Sequence, residues 1–197
     1  MEQLKEAKAY ALSDSDLKQL TGRTNVFTYP TLNNVRNIDE VLKHEKGGIG
    51  HAIVLYLTDD EKTGHWIAII KRGNTIELFD PYGNSTRTLN KDLKGGFQTE
   101  QRGTLLEDLV RRSGYKLVHN SSKVQPVSPD IQTCGRHTAA RVMFSHLSLP
   151  DYLRTIKSLA KEGGVTVDTF VTALTEKFMG GLKDLSGIRG SGGGIPQ

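Results

Sequence analysis

The stretch GHWIAIIKRGNTIELFDPYG, residues 64–83, decides the fold. HWIAII (65–70) and TIELF (75–79) are strand-length runs rich in apolar and β-branched residues, and the Gly73-Asn74 pair between them signals a hairpin. FDPYGNS then ends the second strand, because Pro81 has no amide proton to donate and Gly83 permits a turn. Moving toward the N-terminus, HAIVLYL (51–57) is a continuous apolar run between Gly50 and TDDEKTG, and predicts another strand. GRTNVFTYPTLNN is turn-rich, and the NIDEVL after it reads as a short helix begun at Asn37. Residues 1–20 read as helical, with Leu4, Ala7, Leu12, Leu17 and Leu20 as apolar contacts and Ser13 or Asp14 capping a second piece.

Toward the C-terminus, RGTLLEDLVRR (102–112) predicts a helix with Leu105, Leu106, Leu109 and Val110 on one side. KLVHN (116–120) predicts a strand. GRHTAARVMFSHL (135–147) and the segments near 151–160 and 167–178 predict three helices, the last with Val167, Phe170, Val171, Leu174 and Phe178 at helical spacing. Residues 180–197 contain seven glycines and one proline, which predicts a flexible tail. The expectation is an α+β fold, with a central β-sheet packed against helices. It forms one domain over 1–179, with an N-terminal helical extension over about 1–22. No internal repeat is present.

Composition narrows the function classes. The chain has 197 residues, the size of one domain, with 36% apolar and 24% charged residues. No run approaches the length of a membrane helix, and the polar start MEQLKEAKAY is no secretory signal, so no membrane partner is expected. The 26 Lys and Arg against 22 Asp and Glu leave a net charge of +4, too weak and too dispersed for a nucleic-acid reader. The single cysteine excludes an internal disulfide and a cysteine-rich zinc module. With no CxxC or HxxxH spacing, no metal site is expected.

Cys134 lies in SPDIQTCGRHTAARVMF, where loop gives way to helix. First-turn amides there are unpaired and the helix dipole favours a thiolate, while Gly135 allows close backbone approach beside the sulfur. Two readings stand for it: a nucleophile, or a small hydrophobe packed in the core. A thiolate nucleophile needs a base. His65 begins a strand, and Asp80 ends the next one fifteen residues later, so a hairpin returns the carboxylate to the histidine. One imidazole nitrogen then serves the carboxylate and the other faces sulfur. Taken singly, His65 also reads as a solvated loop histidine and Asp80 as a turn-former before Pro81. His137, one turn beyond the cysteine, is set aside as a base because nothing comparable to Asp80 is placed to orient it.

GHWIAII, LFDPYG and QTCGRH, in this order, resemble the adenovirus-protease and Ulp1-like cysteine proteases. That clan orders its residues His, Asp, Cys, with a Trp after the His and a Cys-Gly opening the central helix; the corresponding pairs are His65-Trp66, Asp80-Pro81 and Cys134-Gly135. The resemblance covers roughly residues 50–147, and the chain looks most like the maturation proteases of double-stranded DNA viruses and virophages. It implies a Ulp1/adenain-like fold with a mixed sheet, catalytic His65, Asp80 and Cys134, and Trp66 packed beside the site. Clan members carry an oxyanion-donating Gln six or seven residues before the cysteine, where this chain has Ser128 and Val127. Gln125, in a loop lengthened by a few residues, is the expected donor and Gln132 the alternative, with the Cys134 amide as second donor.

The resemblance also implies substrates. Viral relatives cut after aliphatic-X-Gly-X before Gly, and Ile188-Arg189-Gly190-Ser191-Gly192 fits that form; the readings are self-cleavage between Ser191 and Gly192, mimicry of a substrate, or a plain flexible tail. The expected function is a cysteine endopeptidase that processes capsid precursors in the virion and the infected cell, acting as a monomer and requiring no cofactor. A disulfide-linked activator would consume Cys134, so activation is non-covalent or built into the chain. DNA stays open as an activator, with Lys91, Lys94, Arg111 and Arg112 as candidate contacts. The alternatives are a deconjugating protease for a ubiquitin-like modifier, an acyl transferase of a related effector type, and a non-catalytic interaction protein.

Overall fold

A computed structural model describes residues 2–58, 64–89, 104–128 and 131–180. The chain opens with helices α1 (Glu2–Ala9) and α2 (Asp14–Leu20), then strand β1 (Asn25–Thr28) and two 3-10 turns, Tyr29–Asn34 and Ile38–Glu40. Strands β2 (Lys43–His44), β3 (Ile49–Leu57), β4 (Gly64–Arg72) and β5 (Thr75–Phe79) follow. Next come α3 (Thr86–Leu89), α4 (Thr104–Arg112), β6 (Lys116–His119), α5 (Cys134–Met143), α6 (Leu149–Glu162) and α7 (Val167–Met179). The sheet runs β1-β3-β4-β5-β6, with β2 also on β3. β1 and β3 are parallel, β3, β4 and β5 antiparallel, and β5 and β6 parallel, so the α+β expectation with a central mixed sheet holds.

Both faces of the sheet are covered. Val54, Tyr56, Ile67, Ile69, Ile76 and Leu78 pack toward Tyr29, Leu32, Leu106 and Leu109, while Ile53, Ala68, Ile70 and Phe79 pack toward Leu17, Ala139, Tyr152 and Ile156. Two-sided burial explains why HAIVLYL is apolar without alternation. α5 lies inside the second layer, packed on β4 and α7, and is buried over nine residues, Cys134–Val142. Its charged residues are therefore paired, as burial demands. Arg141 grips Glu77 through Nε–Oε1 at 2.7 Å and a second nitrogen on Oε2 at 2.8 Å. Arg136 donates to the Ala7 carbonyl at 3.1 Å and to Thr175 at 2.9 Å, and pairs with Glu176 at 2.6 Å.

Several local expectations change. The turn-rich GRTNVFTYPTLNN holds a strand and a 3-10 turn, because β1 pairs Asn25–Thr28 with Ala52–Leu55 and borrows its order from β3. NIDEVL forms only the turn Ile38–Glu40, with Asn37 and Glu40 making a reciprocal capping box. Ser13 caps α2, not Asp14. The helix read to 147 ends at Met143. The Gly-rich tail expected over 180–197 lies, beyond Gly180, outside the described residues. Among the described residues no helix is long and apolar enough to cross a membrane.

Candidate active site

The register of the central hairpin builds the site. β4 pairs with β3 over nine positions, Gly64 to Arg72, but with β5 only from Ala68 opposite Phe79 to Arg72 opposite Thr75. Among the described residues, the first residues of β4 therefore have no strand on their β5 side. The N-terminus of α5 docks at that vacancy, and the amides of Trp66 and Gly135 both donate to the Cys134 sulfur. Gly64 must be glycine here, because a Cβ would come within 2.3 Å of the Tyr56 carbonyl oxygen.

Where β5 stops, Asp80 turns back toward His65. His65 Nε2 donates to Asp80 Oδ1 at 2.7 Å, and Oδ1 also accepts the Tyr82 amide at 2.7 Å. The imidazole nitrogen left for sulfur is Nδ1, and His65 hydrogen-bonds Cys134. Cys134, His65 and Asp80 thus stand in series, with Asp80 fully buried and Cys134 at 9% exposure. Asp80 Oδ2 has no hydrogen-bond partner among the described residues.

The charges couple strongly. Burial disfavours the His65 imidazolium, but the Asp80 carboxylate and its hydrogen bond outweigh burial, and Cys134 adds to them, so the histidine rises from 6.5 to about 10. Burial likewise pushes the Cys134 thiol up, yet His65 and the two amides overcome it and the thiol is lowered. Both shifts run toward the charged forms, thiolate and imidazolium. Among the described residues no cluster of three His, Cys, Asp or Glu side chains is placed to hold a metal ion.

Two supports were missed in the sequence. Asn120, directly after β6, accepts from the Asp80 amide at 2.8 Å and donates to the Asp80 carbonyl at 2.6 Å, clamping its backbone. Reading KLVHN as plain strand hid this, although Asn at a strand end commonly bonds nearby backbone. Tyr82 falls opposite His65 when the hairpin register is continued, and the rings stack at 4.6 Å and 26°. Burial first, then Cys134 and Asp80, push the Tyr82 hydroxyl up to about 12, so it stays protonated.

Tyr82 also separates the two glutamines. Gln125 is buried, its Nε2 donates to the Tyr82 hydroxyl at 3.0 Å, and its Oε1 has no partner among the described residues. Gln132 is exposed, and its backbone amide binds the Lys8 carbonyl at 2.7 Å. The Trp66 ring lies against Gly135, and its indole donates to the Leu12 carbonyl at 3.2 Å. Gly135 lets backbone approach Leu12 and Trp66, since a Cβ would meet both at 3.1 Å.

His137 requires a correction. A carboxylate does orient it: Asp168 Oδ1 lies 3.1 Å from His137 Nε2. Both groups are buried, and the pair involves Thr133 and Lys8 on the far side of the helix start rather than His65. Of the basic residues considered for DNA, Arg111 pairs with Asp108 at 2.6 Å, and Arg112 donates to the Val35 carbonyl at 2.6 Å and to the Arg36 carbonyl at 3.2 Å. Lys91, Lys94 and the expected cleavage pair Ser191 and Gly192 lie outside the described residues.

No protein-family model matches the chain. A solved structure, the central domain of the uncharacterized Lpg1148 protein from Legionella pneumophila, shares 16% identity over 85% of this chain and 98% of that one. Its TM-score of 0.45 is too low to carry fold or function. A much stronger match is "Uncharacterized protein V9" of the Sputnik virophage, 31% identical over 179 residues, spanning 89% of this chain and 99% of that protein. The likeness sets the molecule in a viral, virophage context. The chain belongs to the family of the virophage protein V9.

Proposed function

We propose that the chain is a cysteine endopeptidase of the adenovirus-protease and Ulp1-like type, which processes virion precursor proteins at Gly-containing sites. The single observation that carries this reading is the series at the start of α5. A thiol held by two amides faces a histidine whose other nitrogen is fixed on a buried carboxylate at 2.7 Å. Such an arrangement suits nucleophilic acyl transfer, because the thiolate exists before substrate arrives and the imidazolium is ready as the acid. The virophage relative supports the viral setting of this reading.

In this mechanism the Cys134 sulfur attacks the scissile carbonyl carbon and the carbonyl π-electrons move to oxygen. The developing oxyanion takes hydrogen bonds from the Cys134 amide and from Gln125 Nε2, which leaves the Tyr82 hydroxyl to do so. As the C–N bond breaks, the His65 Nδ1 proton passes to the leaving amine. Water then loses a proton to His65, attacks the thioester, and expels the Cys134 thiolate. Asp80 keeps its charge throughout and holds the ring and its tautomer. Glycines near the cut let an extended substrate lie close to the sulfur.

The test is incubation of the full chain with Leu-X-Gly-X-Gly peptides and, separately, with a ubiquitin-like modifier ending in Gly-Gly, read by mass spectrometry. Cleavage of the short peptide after the fourth residue, absent in Cys134→Ala, is expected. The intact mass of the enzyme is read in the same spectra for loss of its C-terminus after Ser191. Cleavage of the folded modifier alone moves the reading to a deconjugating protease, and cleavage that persists in Cys134→Ala overturns the mechanism.

A further inference from the structure

Among the helices of seven residues or more, four have a Ser or Thr directly before them, and one of these behaves differently. Ser13, Ser148 and Thr166 take extended conformations, with ψ of 168°, 158° and 156°, and their side chains accept first-turn amides. Thr133, before Cys134, sits at φ −98° and ψ 5° and makes no side-chain cap. Its hydroxyl instead donates to Asp168 Oδ1 at 2.5 Å.

Asp168 is the hub of a buried cluster drawn from three helices. Besides Thr133, its Oδ1 accepts from His137 Nε2 at 3.1 Å, and its Oδ2 pairs with Lys8 Nζ at 3.0 Å. Lys8 Nζ also donates to Thr169 at 2.8 Å, and the Lys8 carbonyl accepts the Gln132 amide at 2.7 Å. The ion pair of Arg136 with Glu176 lies on the same two C-terminal helices. Burial lowers His137 below its usual value, so Lys8 supplies the cation that balances Asp168. Asp168 itself, despite burial, is held down at about 2 by His137, Thr133 and Lys8.

We propose that Asp168 is a positioning residue for the Cys134 thiolate: it draws the Thr133 hydroxyl away from the helix start, leaving the first-turn amides of α5 open to negative charge on sulfur and on the oxyanion. A Thr in this position ordinarily closes those amides with its own oxygen. Held by Asp168, it does not, and the electropositive end of the helix serves the nucleophile instead. Lys8 makes the N-terminal helix a working part of this device, so the arrangement is built into the chain without a second molecule.

Iodoacetamide alkylation against pH tests this on the full chain, because Cys134 is the only thiol. Asp168→Ala removes the acceptor and frees Thr133 to cap, and the alkylation midpoint should rise by about one pH unit, a tenfold loss of reactivity below it. Loss of a nearby negative charge alone would shift the midpoint the other way, so the sign is decisive. Thr133→Val has no hydroxyl with which to cap and should keep the wild-type midpoint, whereas the Asp168→Ala/Thr133→Val double variant, losing the charge with no cap gained, should not rise above it. The Lys18→Met change, at an exposed pair with Asp14, is the surface-charge control. An unchanged or lowered midpoint in Asp168→Ala, with only its melting temperature reduced, makes Asp168 merely structural and overturns the proposal. A raised midpoint in Thr133→Val, the nearly isosteric variant, overturns it too, even where Asp168→Ala does not fold. The inference rests on the reactive thiolate of the protease reading. Alkylation needs no substrate, so inert peptides count against that reading alone.

Discussion

Asp80→Asn isolates charge from shape at the candidate site. Asp80 Oδ1 accepts both the His65 ring and the Tyr82 amide at 2.7 Å, and an Asn Oδ1 can do the same. The new NH2 group then takes the place of Oδ2, an atom with no partner among the described residues, so no existing bond is opposed. What disappears is the attraction between carboxylate and imidazolium. Two unit charges about 4 Å apart at an effective dielectric near 20 attract by about 4 kcal/mol, equivalent to about three pH units. That agrees in size with the rise of His65 from 6.5 to about 10 against the opposing effect of burial.

Without the carboxylate, burial dominates, His65 loses its proton at neutral pH, and Cys134 reverts toward the neutral thiol. Alkylation of Cys134 by iodoacetamide, followed by intact-mass measurement from pH 5 to 10, reports this directly. The midpoint should move up by at least about one unit, and reactivity at pH 6 should fall at least about tenfold. Peptide cleavage should fall with it. A midpoint identical to the wild type, in a variant with an unchanged circular dichroism spectrum, would refute the coupling of Asp80 to the sulfur through His65.

Tyr82→Phe keeps the ring stacked on His65 but removes the acceptor for Gln125 Nε2, so it separates two roles of one residue. Peptide turnover should change by up to about tenfold, the value of one hydrogen bond, while the alkylation midpoint stays where it is. Gly135→Ala places a methyl group 3.1 Å from both Leu12 and Trp66, and should destabilise the fold by about 1–3 kcal/mol in urea denaturation. Stability should also depend on pH through the ion pair. His65 is raised, so its contribution is complete below 6.5 and is lost as pH climbs to about 10. Cys134 is lowered, so its contribution is present above 9.0 and lost as pH falls. The slopes oppose across neutral pH, and above 9.0 only the His65 loss remains: wild-type stability should drop there, and Cys134→Ala, lacking the thiolate, should lack the compensation below it.

The strands and most helices were legible because their signals are local. HWIAII, the Gly73-Asn74 turn and TIELF specify a hairpin without outside help, and strands and turn stand where they were expected. β1 was not legible. NVFT has strand-forming residues inside a run of turn-formers, and only pairing with Ala52–Leu55 selects the extended state. The helix expected from Asn37 failed for the converse reason: its capping box is real, yet just three residues follow in helical form before the chain turns into β2.

At the site the division follows chemistry. The groups proposed to react can be read from type and place: a histidine at the start of one strand, an aspartate at the end of the next, a cysteine at a loop-to-helix junction. The groups that hold them cannot, because each is ordinary in its own segment and acquires a role only across the fold. Asn120 looks like a strand terminus, until the parallel pairing of β5 with β6 sets Leu78 beside His119 and so brings Asn120 to the Asp80 backbone. Asp168 looks like an acidic residue in the first turn of a helix, where the dipole alone justifies it. Only the packing of α7 against α5 turns its carboxylate to Thr133 and His137. His137 was set aside because the partner that orients it lies 31 residues away with no spacing rule to connect them. Local sequence therefore exposes the proposed nucleophile and base, whereas the groups that hold them in place are ones that only tertiary structure makes neighbours.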